Sequence, residues 1–418
     1  MKRIIILILV VVFSFSSLFA NNFFDDDEFF NPQQTHRPTS ARVEAMGGAG
    51  LATASGADAF FINPANLASR KFSLYLPSVA VTVFNPKKII DLPSFRDLID
   101  GGDVEPEEFG LDFITILNNG KGDVLTTDIT TSFTAGGFGL GLHIQEQLHN
   151  IDKDVDASLF AEINTSLAVG FGFNIKILPR LLSIDIGAVV RPTYKAYTSG
   201  FDFSLVTNFF DDSSNVDPLD MILEKTSLAA GYAVPFDLGV NLNLPIGFKV
   251  SLLAKNINGR YYMQKYEETG VWLNEVGEVI GTDIGYTPTN PDAITSFTID
   301  VPFTMDLGIG WAPNLGSLGK LIRPSFAFDF VDIVGLAAEM DGMDDAIWNH
   351  LRAGVELKLF SMLDLRAGIN RGAMSLGVGL DLFVLRLDAA YYWRELGVAI
   401  GDKPVDALTV RVNIGFDR

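Results

Sequence analysis

The sequence predicts an all-β protein, a transmembrane antiparallel β-barrel of about 14 strands with an N-terminal plug. Apolar and polar residues alternate in many segments from residue 133 to the C-terminus, and a period of two is the pattern of a strand with one apolar face. Many segments run about 9–11 residues, enough to cross a bilayer at a tilt, whereas strands of soluble proteins average about 5–6. Aromatic residues gather at segment ends, where the girdles of such barrels lie: Tyr261 and Tyr262, Trp311, residues 391–393, and Phe416.

Residues 409–416 illustrate the alternation, with Val410, Val412 and Ile414 separated by polar residues or glycine. Two architectures produce such strands. A soluble sandwich buries its apolar face between two sheets, whereas a membrane barrel turns that face to lipid and keeps glycine, asparagine and charged residues in its lumen. The second face here is rich in glycine and mixed charges, which favours the barrel, and a secreted β-sandwich array is the alternative.

Composition excludes several classes of protein. The 418 residues include 31 Lys and Arg against 51 Asp and Glu, a net charge of −20, which argues against nucleic acid as a partner because phosphate binding needs a basic surface. The chain has no Cys, so it has no disulfide framework, thiolate metal site, cysteine nucleophile or lipid-modified N-terminal cysteine.

The first 20 residues are predicted to be a signal peptide. Lys2 and Arg3 precede an unbroken apolar stretch at residues 4–13, and cleavage is expected after Ala20. An uncleaved anchor is the alternative. No later run of 18 apolar residues occurs, so no transmembrane helix is expected. We divide the remainder into an N-terminal arm and plug at 21–71 and the barrel at 72–418.

Turn lengths predict the topology, because bacterial barrels have short periplasmic turns, long outer loops and an even number of strands. An even number requires a 14th crossing within 86–127, for which residues 113–117 are the candidate. Helical stretches are expected at 92–98 and within 205–225, where Asp217 and Pro218 signal a turn. Thirteen other crossings are predicted near 72–85, 131–147, 157–176, 181–196, 228–244, 247–262, 300–312, 322–333, 349–360, 362–370, 373–381, 384–393 and 406–416.

The segment before the barrel does not alternate and is dominated by small residues. It reads ARVEAMGGAGLATASGADAFFINPANLA over residues 41–68, and its Asn-Pro step signals a turn. It resembles the N-terminal hatch of the FadL-like outer-membrane proteins, which include long-chain fatty-acid transporters, aromatic-hydrocarbon channels and PorV-type and TraF-type relatives. The shared pattern is a Met-Gly-Gly-Ala-Gly turn, an Asp-Ala pair, and Asn-Pro-Ala before the first strand.

The resemblance implies a 14-stranded barrel plugged by this segment, and in transporter members a hydrophobic ligand leaves sideways near a kinked strand. It implies roles in the hatch or its gating for Gly47, Gly48, Gly50, Asp58, Asn63, Pro64 and Ala65. The long stretch at 86–127 fits the PorV and TraF side as well as the transporters.

Charged residues on the predicted lumen face suggest ion pairs more than a carboxylate-binding site. We expect arginines at 191, 323, 352, 366, 386 and 411 to pair with Asp329, Glu356, Asp364, Asp381 and Asp388. No basic pair for a fatty-acid carboxylate is assigned from the sequence.

Signals for catalysis, metals and cofactors are weak. None of the histidines, at 36, 143, 149 and 350, stands in a metal-binding spacing, and residues 373–377 lack the first glycine of a nucleophile elbow. A Ser–His site that includes His143 is a remote option. The acidic loops at 100–103 and 341–345 match no complete calcium loop. No enzyme activity, metal or cofactor is predicted.

Three functions remain open. The first is an outer-membrane channel for passive uptake of hydrophobic small molecules such as fatty acids or hydrocarbons, in contact with outer-membrane lipid. The second is a PorV-like scaffold that binds exported proteins through the loops at 86–127, 205–227 and 257–298, because binding residues concentrate on loops. The third is a water-filled porin.

Overall fold

A computed structural model describes residues 39–57, 59–100, 122–153, 156–178, 181–198, 223–339, 346–395 and 404–417. Its wall is a single antiparallel sheet of 18 strand segments. These are β1 (Ser73–Phe84), β2 (Gly122–Ala135), β3 (Phe138–Lys153), β4 (Asp156–Leu178), β5 (Leu182–Val190), β6 (Thr193–Thr198), β7 (Leu228–Ala233), β8 (Phe236–Asn243), β9 (Phe248–Ile257), β10 (Arg260–Tyr266), β11 (Ile294–Asp300), β12 (Thr304–Trp311), β13 (Ile322–Phe330), β14 (Leu351–Leu359), β15 (Leu363–Asn370), β16 (Ala373–Leu382), β17 (Leu385–Glu395) and β18 (Pro404–Asp417).

The sheet closes into a barrel of 14 crossings. Strand β1 pairs with both β2 and β18, so that Val81 lies between Thr127 and Val410. Four consecutive crossings each consist of two segments, β5–β6, β7–β8, β9–β10 and β11–β12, because both segments of one crossing pair with the same neighbouring crossings. Eighteen segments less these four divisions give the 14 strands, which confirms the predicted barrel.

Connections of very different length lie at the two ends of the barrel. Most short turns join the crossings at one end, which we call the turn end, and the longest connections lie at the other, the loop end, together with two-residue connections after β3 and β15. At the loop end stand α3 (Pro86–Ile90), α4 (Pro93–Ile99), α5 (Thr269–Ile280), α6 (Ile333–Glu339) and α7 (Ala346–His350). Helix α4 confirms the helix predicted at 92–98. Of the predicted helical stretch at 205–225, only residues 223–225 are described.

The wall turns its apolar side chains outward, as a membrane-spanning barrel does. On β8, for example, Leu238 and Val240 are exposed, whereas Asn241 is fully buried inside. Aromatic rings border the apolar band: Trp311 stacks between Phe248 and Phe326 near the turn end, with ring centroids 5.7 and 5.4 Å apart. Near the loop end, Tyr232 and Tyr262 pair at 5.8 Å. None of the helices in the described ranges is long and apolar enough to cross a membrane.

The strand predicted at 131–147 is wrong. Gly136 and Gly137 both adopt positive φ and form a tight turn inside that stretch, which separates β2 from β3. The outward apolar positions change from odd numbers on β2 to even numbers on β3 at this Gly-Gly step, and both features mark a reversal that the single predicted strand overlooked. The 14th crossing is therefore β2, and the candidate at 113–117 lies outside the described residues.

The four divided crossings are interrupted at neighbouring places in the wall. Three interruptions contain a proline, Pro192, Pro235 or Pro302, which has no N–H to donate to the ladder. Single hydrogen bonds bridge them: the amide of Arg191 donates to the carbonyl of Pro235, and that of Val301 to Gly259. The hydrogen-bond ladder thus continues across these interruptions.

Candidate functional site

The barrel interior is occupied by the residues that precede β1. This inner segment, residues 39–72, contains α1 (Ala41–Ala45), α2 (Ala59–Ile62) and a 3-10 turn at Pro64–Ser69. Most of its apolar side chains are buried, with Phe60 and Met46 at 0% and 1% exposure. They pack against inward faces of wall strands on several sides of the barrel.

Glycines on the inner face of the wall allow the inner segment to pack closely against it. At 11 inward-facing glycines, a Cβ atom would come closer than 3.0 Å to an atom of the inner segment. Only a residue without a side chain fits at such a distance. The glycine-rich face of the strands therefore packs against this segment and does not line an open lumen. The glycines are Gly139, Gly141, Gly170, Gly172, Gly187, Gly239, Gly308, Gly310, Gly354, Gly368 and Gly377.

The three glycines predicted from the resemblance form the turn after α1. Gly47 adopts φ +67° and its Cα lies against the backbone of Ile369, so both its conformation and its surroundings require glycine. Gly48 also has positive φ and faces the Arg352 side chain. The amide of Gly50 donates to Asp329 Oδ2 at 2.7 Å, and the amide of Leu51 donates to the same oxygen at 2.9 Å.

Asn63 links the inner segment to itself and to the wall. Its Nδ2 donates to Asn241 Oδ1 on β8 at 2.8 Å and to the carbonyl of Leu51 at 3.2 Å, while its Oδ1 accepts from the amide of Ala65. The Pro64 carbonyl lies against Gly187. Through the Leu51 contact, the Asn-Pro-Ala turn and the glycine turn are joined. Asp58 lies outside the described residues.

A network of buried charges fixes α1. Arg42 donates two hydrogen bonds to the Glu356 carboxylate, at 2.7 and 2.8 Å. Glu356 also accepts from Arg366, which in turn contacts Asp364 and Asp388. Arg386 completes the network through the same two aspartates.

The arginines predicted to face the lumen form some of the expected ion pairs. Ion pairs are confirmed for Arg366 and Arg386, and Arg191 pairs with Asp237, which was not on the predicted set of partners. Arg323 donates to the hydroxyl of Ser361, and Arg411 donates to the hydroxyl of Ser78. The sequence reasoning missed Arg42, because a single arginine in a short helix carries no sign of the carboxylate that it will meet 314 positions later.

His143 is buried beneath the inner segment. Its Nε2 lies 2.7 Å from Asp128 Oδ1, and the Phe61 ring stands over it with a centroid separation of 6.2 Å. Gln145 donates to the same carboxylate oxygen. With 0% exposure, the imidazole is enclosed by packing on every side.

A second set of inward residues is apolar and lies nearer the loop end. We call it the loop-end cluster; it adjoins the buried Lys195–Glu162 ion pair, and Lys195 Nζ stands 5.8 Å from the centroid of the Tyr261 ring. Its members are Tyr197, Ala229, Ala233, Tyr261, Met263, Ile299 and Val301, with Phe160 and Phe297 packed against them.

This cluster corrects the prediction for residues 300–312. An unbroken alternation over 300–312 would place Val301 on the same face as Ile309, yet Val301 is inward and buried whereas Ile309 is exposed outside. The interruption at Pro302 reverses the alternation, so that odd-numbered residues point inward on β11 and outward on β12. Likewise Tyr261 lies inside, and only Tyr262 belongs to the girdle.

A cavity of about 210 Å³ lies between the inner segment and the turn end of the wall. Phe60 and Leu67 supply apolar surface, and Lys71 and Lys249 supply two ammonium groups. We call it the turn-end cavity. Within the described ranges, no three His, Asp or Glu residues are grouped as a metal site would require.

No family model and no curated protein matches the chain. Among solved structures it is similar to a FadL homologue of Pseudomonas aeruginosa, at 11% identity and a TM-score of 0.42 over 91% of this chain and 98% of that one. It is also similar to the toluene transporter TodX of Pseudomonas putida, at 10% identity and a TM-score of 0.44 over 91% and 98%. The phospholipase A of the Escherichia coli outer membrane is similar at 11% and 0.25 over 82% and 98%. A transporter and a phospholipase both occur among these proteins, so the similarities select no activity for this chain.

Proposed function

We propose that this protein is a FadL-like outer-membrane channel through which small hydrophobic molecules, fatty acids and hydrocarbons among them, pass down their own gradient. Residues 1–20 direct export, the turn end faces the periplasm and the loop end faces the outside. The apolar outer wall is embedded in outer-membrane lipid, and no chemical conversion is involved.

The loop-end cluster is the observation that carries this proposal. A barrel that only had to pass water and ions would keep its inner face polar. Here aromatic, methionine and aliphatic side chains converge inside the wall, as they do in sites for apolar ligands. The inner segment, moreover, occupies the interior below this cluster, which argues against a wide water-filled pore.

We propose that the inner segment is the hatch of this channel. It consists largely of small residues, and its glycine turn and Asn-Pro-Ala turn meet the wall through a few hydrogen bonds and close backbone contacts. Passage would require local rearrangement of Gly47, Gly48, Gly50 and the turn at Asn63, Pro64 and Ala65, and not a large movement of the wall. Asp58 belongs to the same stretch of the resemblance and is included in this proposal.

The test compares two neighbouring positions that lie on opposite faces of β11. Ile299→Gln places an amide in the loop-end cluster, whereas Thr298→Gln places it on the exposed outer face. Cells that lack the chromosomal copy would express each variant and receive a radiolabelled hydrocarbon or fatty acid. We expect Ile299→Gln to slow uptake by about tenfold, since burial of one aliphatic side chain contributes about 1.5–3 kcal/mol.

Thr298→Gln should transport at the wild-type rate. Heat-dependent gel mobility of both variants would show whether each barrel is folded. Equal uptake by wild-type cells and cells without the protein would remove the transport function altogether.

A PorV-like scaffold that binds exported proteins is the second candidate, and the exposed apolar end of helix α5 favours it. The helix packs outside the wall on Ala196, Leu228 and Tyr266, and Trp272 Nε1 donates to the Tyr194 hydroxyl at 2.7 Å. Two apolar residues at its end, Val279 and Ile280, are 87% and 63% exposed. Co-purification of one abundant exported protein, abolished by V279E with I280E, would support this function, and unchanged uptake in that double variant would separate it from transport.

A further inference from the structure

We propose that an amphipathic patch at the turn end binds an anionic phospholipid of the periplasmic leaflet, with cationic side chains on the phosphate and apolar side chains among the acyl chains. This inference goes beyond transport, but it rests on the proposal that the wall stands in the outer membrane with its turn end towards the periplasm. We call this surface the rim patch, and its members are Leu318, Lys320, Leu321, Arg323, Phe360 and Met362.

Contacts between two neighbouring connections of the barrel hold the rim patch together. The connection between β12 and β13 contains a 3-10 turn at Gly316–Lys320, and residues 360–362 form the turn between β14 and β15. The amide of Phe360 donates to the Leu321 carbonyl at 2.9 Å, and Arg323 donates to the Ser361 hydroxyl at 2.8 Å. The six side chains therefore belong to one surface.

Large apolar side chains are exposed on the rim patch. Leu318 and Phe360 are 62% and 68% exposed, and Leu321 and Met362 are also exposed. Phe360 and Ser361 both adopt positive φ, at 50° and 58°, a conformation in which tight turns ordinarily carry glycine or asparagine. A small polar residue would be less strained and better hydrated at position 360 if the turn stood in water. Contact with acyl chains gives a reason for the phenylalanine, because it removes the ring from water.

The rim patch is continuous with the outer face of the wall. Strand β13 turns Ile322 and Phe326 outward, and Phe326 belongs to the aromatic stack around Trp311. Leu321 lies one residue beyond Ile322, so the exposed apolar surface extends from the girdle to the patch. A periplasmic protein would meet this surface only at its tip, whereas a lipid contacts the wall and the tip together. This continuity favours lipid as the occupant.

Two cations distinguish the rim patch from a purely apolar surface. Lys320 and Arg323 are exposed, and neither forms an ion pair within the described part of the chain. Cationic side chains close to a membrane surface attract anionic lipids, and their long apolar stems let the charge reach the head-group level. An anionic phospholipid therefore matches both the charge and the apolar surface of the patch.

The experiment measures which lipid lies against the patch. The chain has no Cys, so the single cysteine of Met362→Cys can carry the fluorophore bimane. The labelled full-length protein is reconstituted into phosphatidylcholine vesicles that contain dibrominated phosphatidylglycerol or dibrominated phosphatidylcholine, because bromine quenches a fluorophore that it contacts. We expect both lipids to quench the label and phosphatidylglycerol to bind more tightly. K320Q and R323Q should each lower this preference by about fivefold, the effect expected for one cation at a membrane surface.

Lys320→Arg keeps the charge and should keep the preference for phosphatidylglycerol. Lys88→Gln is the matched control, because Lys88 is an exposed lysine on α3 at the opposite end of the barrel. A label at position 362 that neither lipid quenches, equal binding of the two lipids, or an equal loss of preference in K88Q would overturn the proposal. Bimane on Leu238→Cys, on the outer face of the wall, identifies the failure of the membrane position itself, since the label would then be unquenched at position 238 as well.

Discussion

The atoms of the inner segment that lie opposite the inner face of the wall explain why several positions of that face are glycine. Gly187 on β5 lies against the Pro64 carbonyl, and Gly354 and Gly368 lie against Met46. Alternation alone places these residues inside but leaves the reason for glycine open. Their contacts supply it, because the inner segment approaches the wall at backbone distance.

A single methyl group at Gly187 should therefore disturb the packing of the inner segment against the wall. We expect Gly187→Ala to lower the free energy of unfolding by about 1–3 kcal/mol, the usual effect of overpacking, and to increase protease cleavage within residues 39–72. Gly319→Ala is the control, since the nearest atom to a Cβ there is 3.9 Å away on an Arg323 side chain. Identical urea unfolding and cleavage for both variants would contradict the close contact at Gly187.

Glu356 is the residue on which the position of α1 depends most. Its carboxylate accepts hydrogen bonds from Arg42 of the inner segment and from Arg366 of the wall. Removal of its charge would leave Arg42 buried without a carboxylate, whereas Arg366 would retain Asp364 and Asp388.

We expect Glu356→Gln to destabilise the protein by about 3–5 kcal/mol, the range for breaking a buried ion pair. Asp300→Asn breaks the Arg260–Asp300 pair instead, whose side chains are 55% and 65% exposed, and should change stability little. Urea unfolding of both variants compares them directly. If the exposed pair proved to be the costlier one to break, the role of Glu356 in holding α1 would be refuted.

At the scale of elements, the loop between β10 and β11 is organised by one carboxylate. Glu268 accepts hydrogen bonds from the Tyr286 hydroxyl at 2.6 Å and from the amides of Thr289 and Asn290 at 3.0 and 2.7 Å. Burial alone would raise the pKa of Glu268, but these three hydrogen bonds outweigh it and hold the pKa below its ordinary value. The charged carboxylate is thus the form that orders the loop.

This lowered pKa gives the loop a predictable pH dependence. The contribution of Glu268 is fully present above the ordinary glutamate pKa of about 4.3 and is lost as the pH falls through the lower pKa of the folded state. The factors by which the structure protects the amides of Thr289 and Asn290 from exchange should therefore fall only in acid. Glu268→Gln should show fast exchange already at pH 7, and the exposed Glu278→Gln on α5 should behave as the wild type. Slow exchange in Glu268→Gln at pH 7 would mean that another contact orders the loop.

The elements that alternation predicted well are those without an interruption. Strands β14 to β18 lie within a few residues of their predicted positions because each keeps one phase between two clear turns. The errors fall at turns and interruptions inside a predicted strand. Gly136 and Gly137 reverse the chain where the apolar phase passes from odd to even positions, and Pro302 exchanges the two faces of one crossing without a change in the sequence pattern.

The candidate site was predictable only in part for a related reason. A resemblance could mark Gly47 and Asn63, since their roles depend on local turn geometry. The loop-end cluster and the turn-end cavity unite residues from strands far apart in the chain. Single-sequence patterns contain no information on which of these strands become neighbours of the inner segment.

For the whole molecule, the aromatic rings at both ends set the depth of each outward residue. On the crossing formed by β7 and β8, Leu238 lies midway between Tyr232, which is near the loop end, and the turn end, whereas Leu244 lies beside the turn itself. Both are exposed outward. An arginine therefore meets hydrocarbon at position 238 and the lipid head groups at position 244.

We expect Leu238→Arg to lower the free energy of unfolding from lipid by about 2–4 kcal/mol, and Leu244→Arg by about 0–1 kcal/mol. Reversible urea unfolding in the presence of liposomes measures both. Similar values for the two variants would show that the outer wall is not immersed to this depth.

Pairing of β1 with β18 has a consequence for the order of events during biosynthesis. The ribosome makes the inner segment before any strand of the wall, and Val81 can pair with Val410 only after all the strands between them have been made. The N-terminal residues must therefore already lie within the curling sheet when its two edges join. A wall that closed before they entered would leave them only the ends of the barrel as a way in, because strand pairing continues around the whole of the described wall.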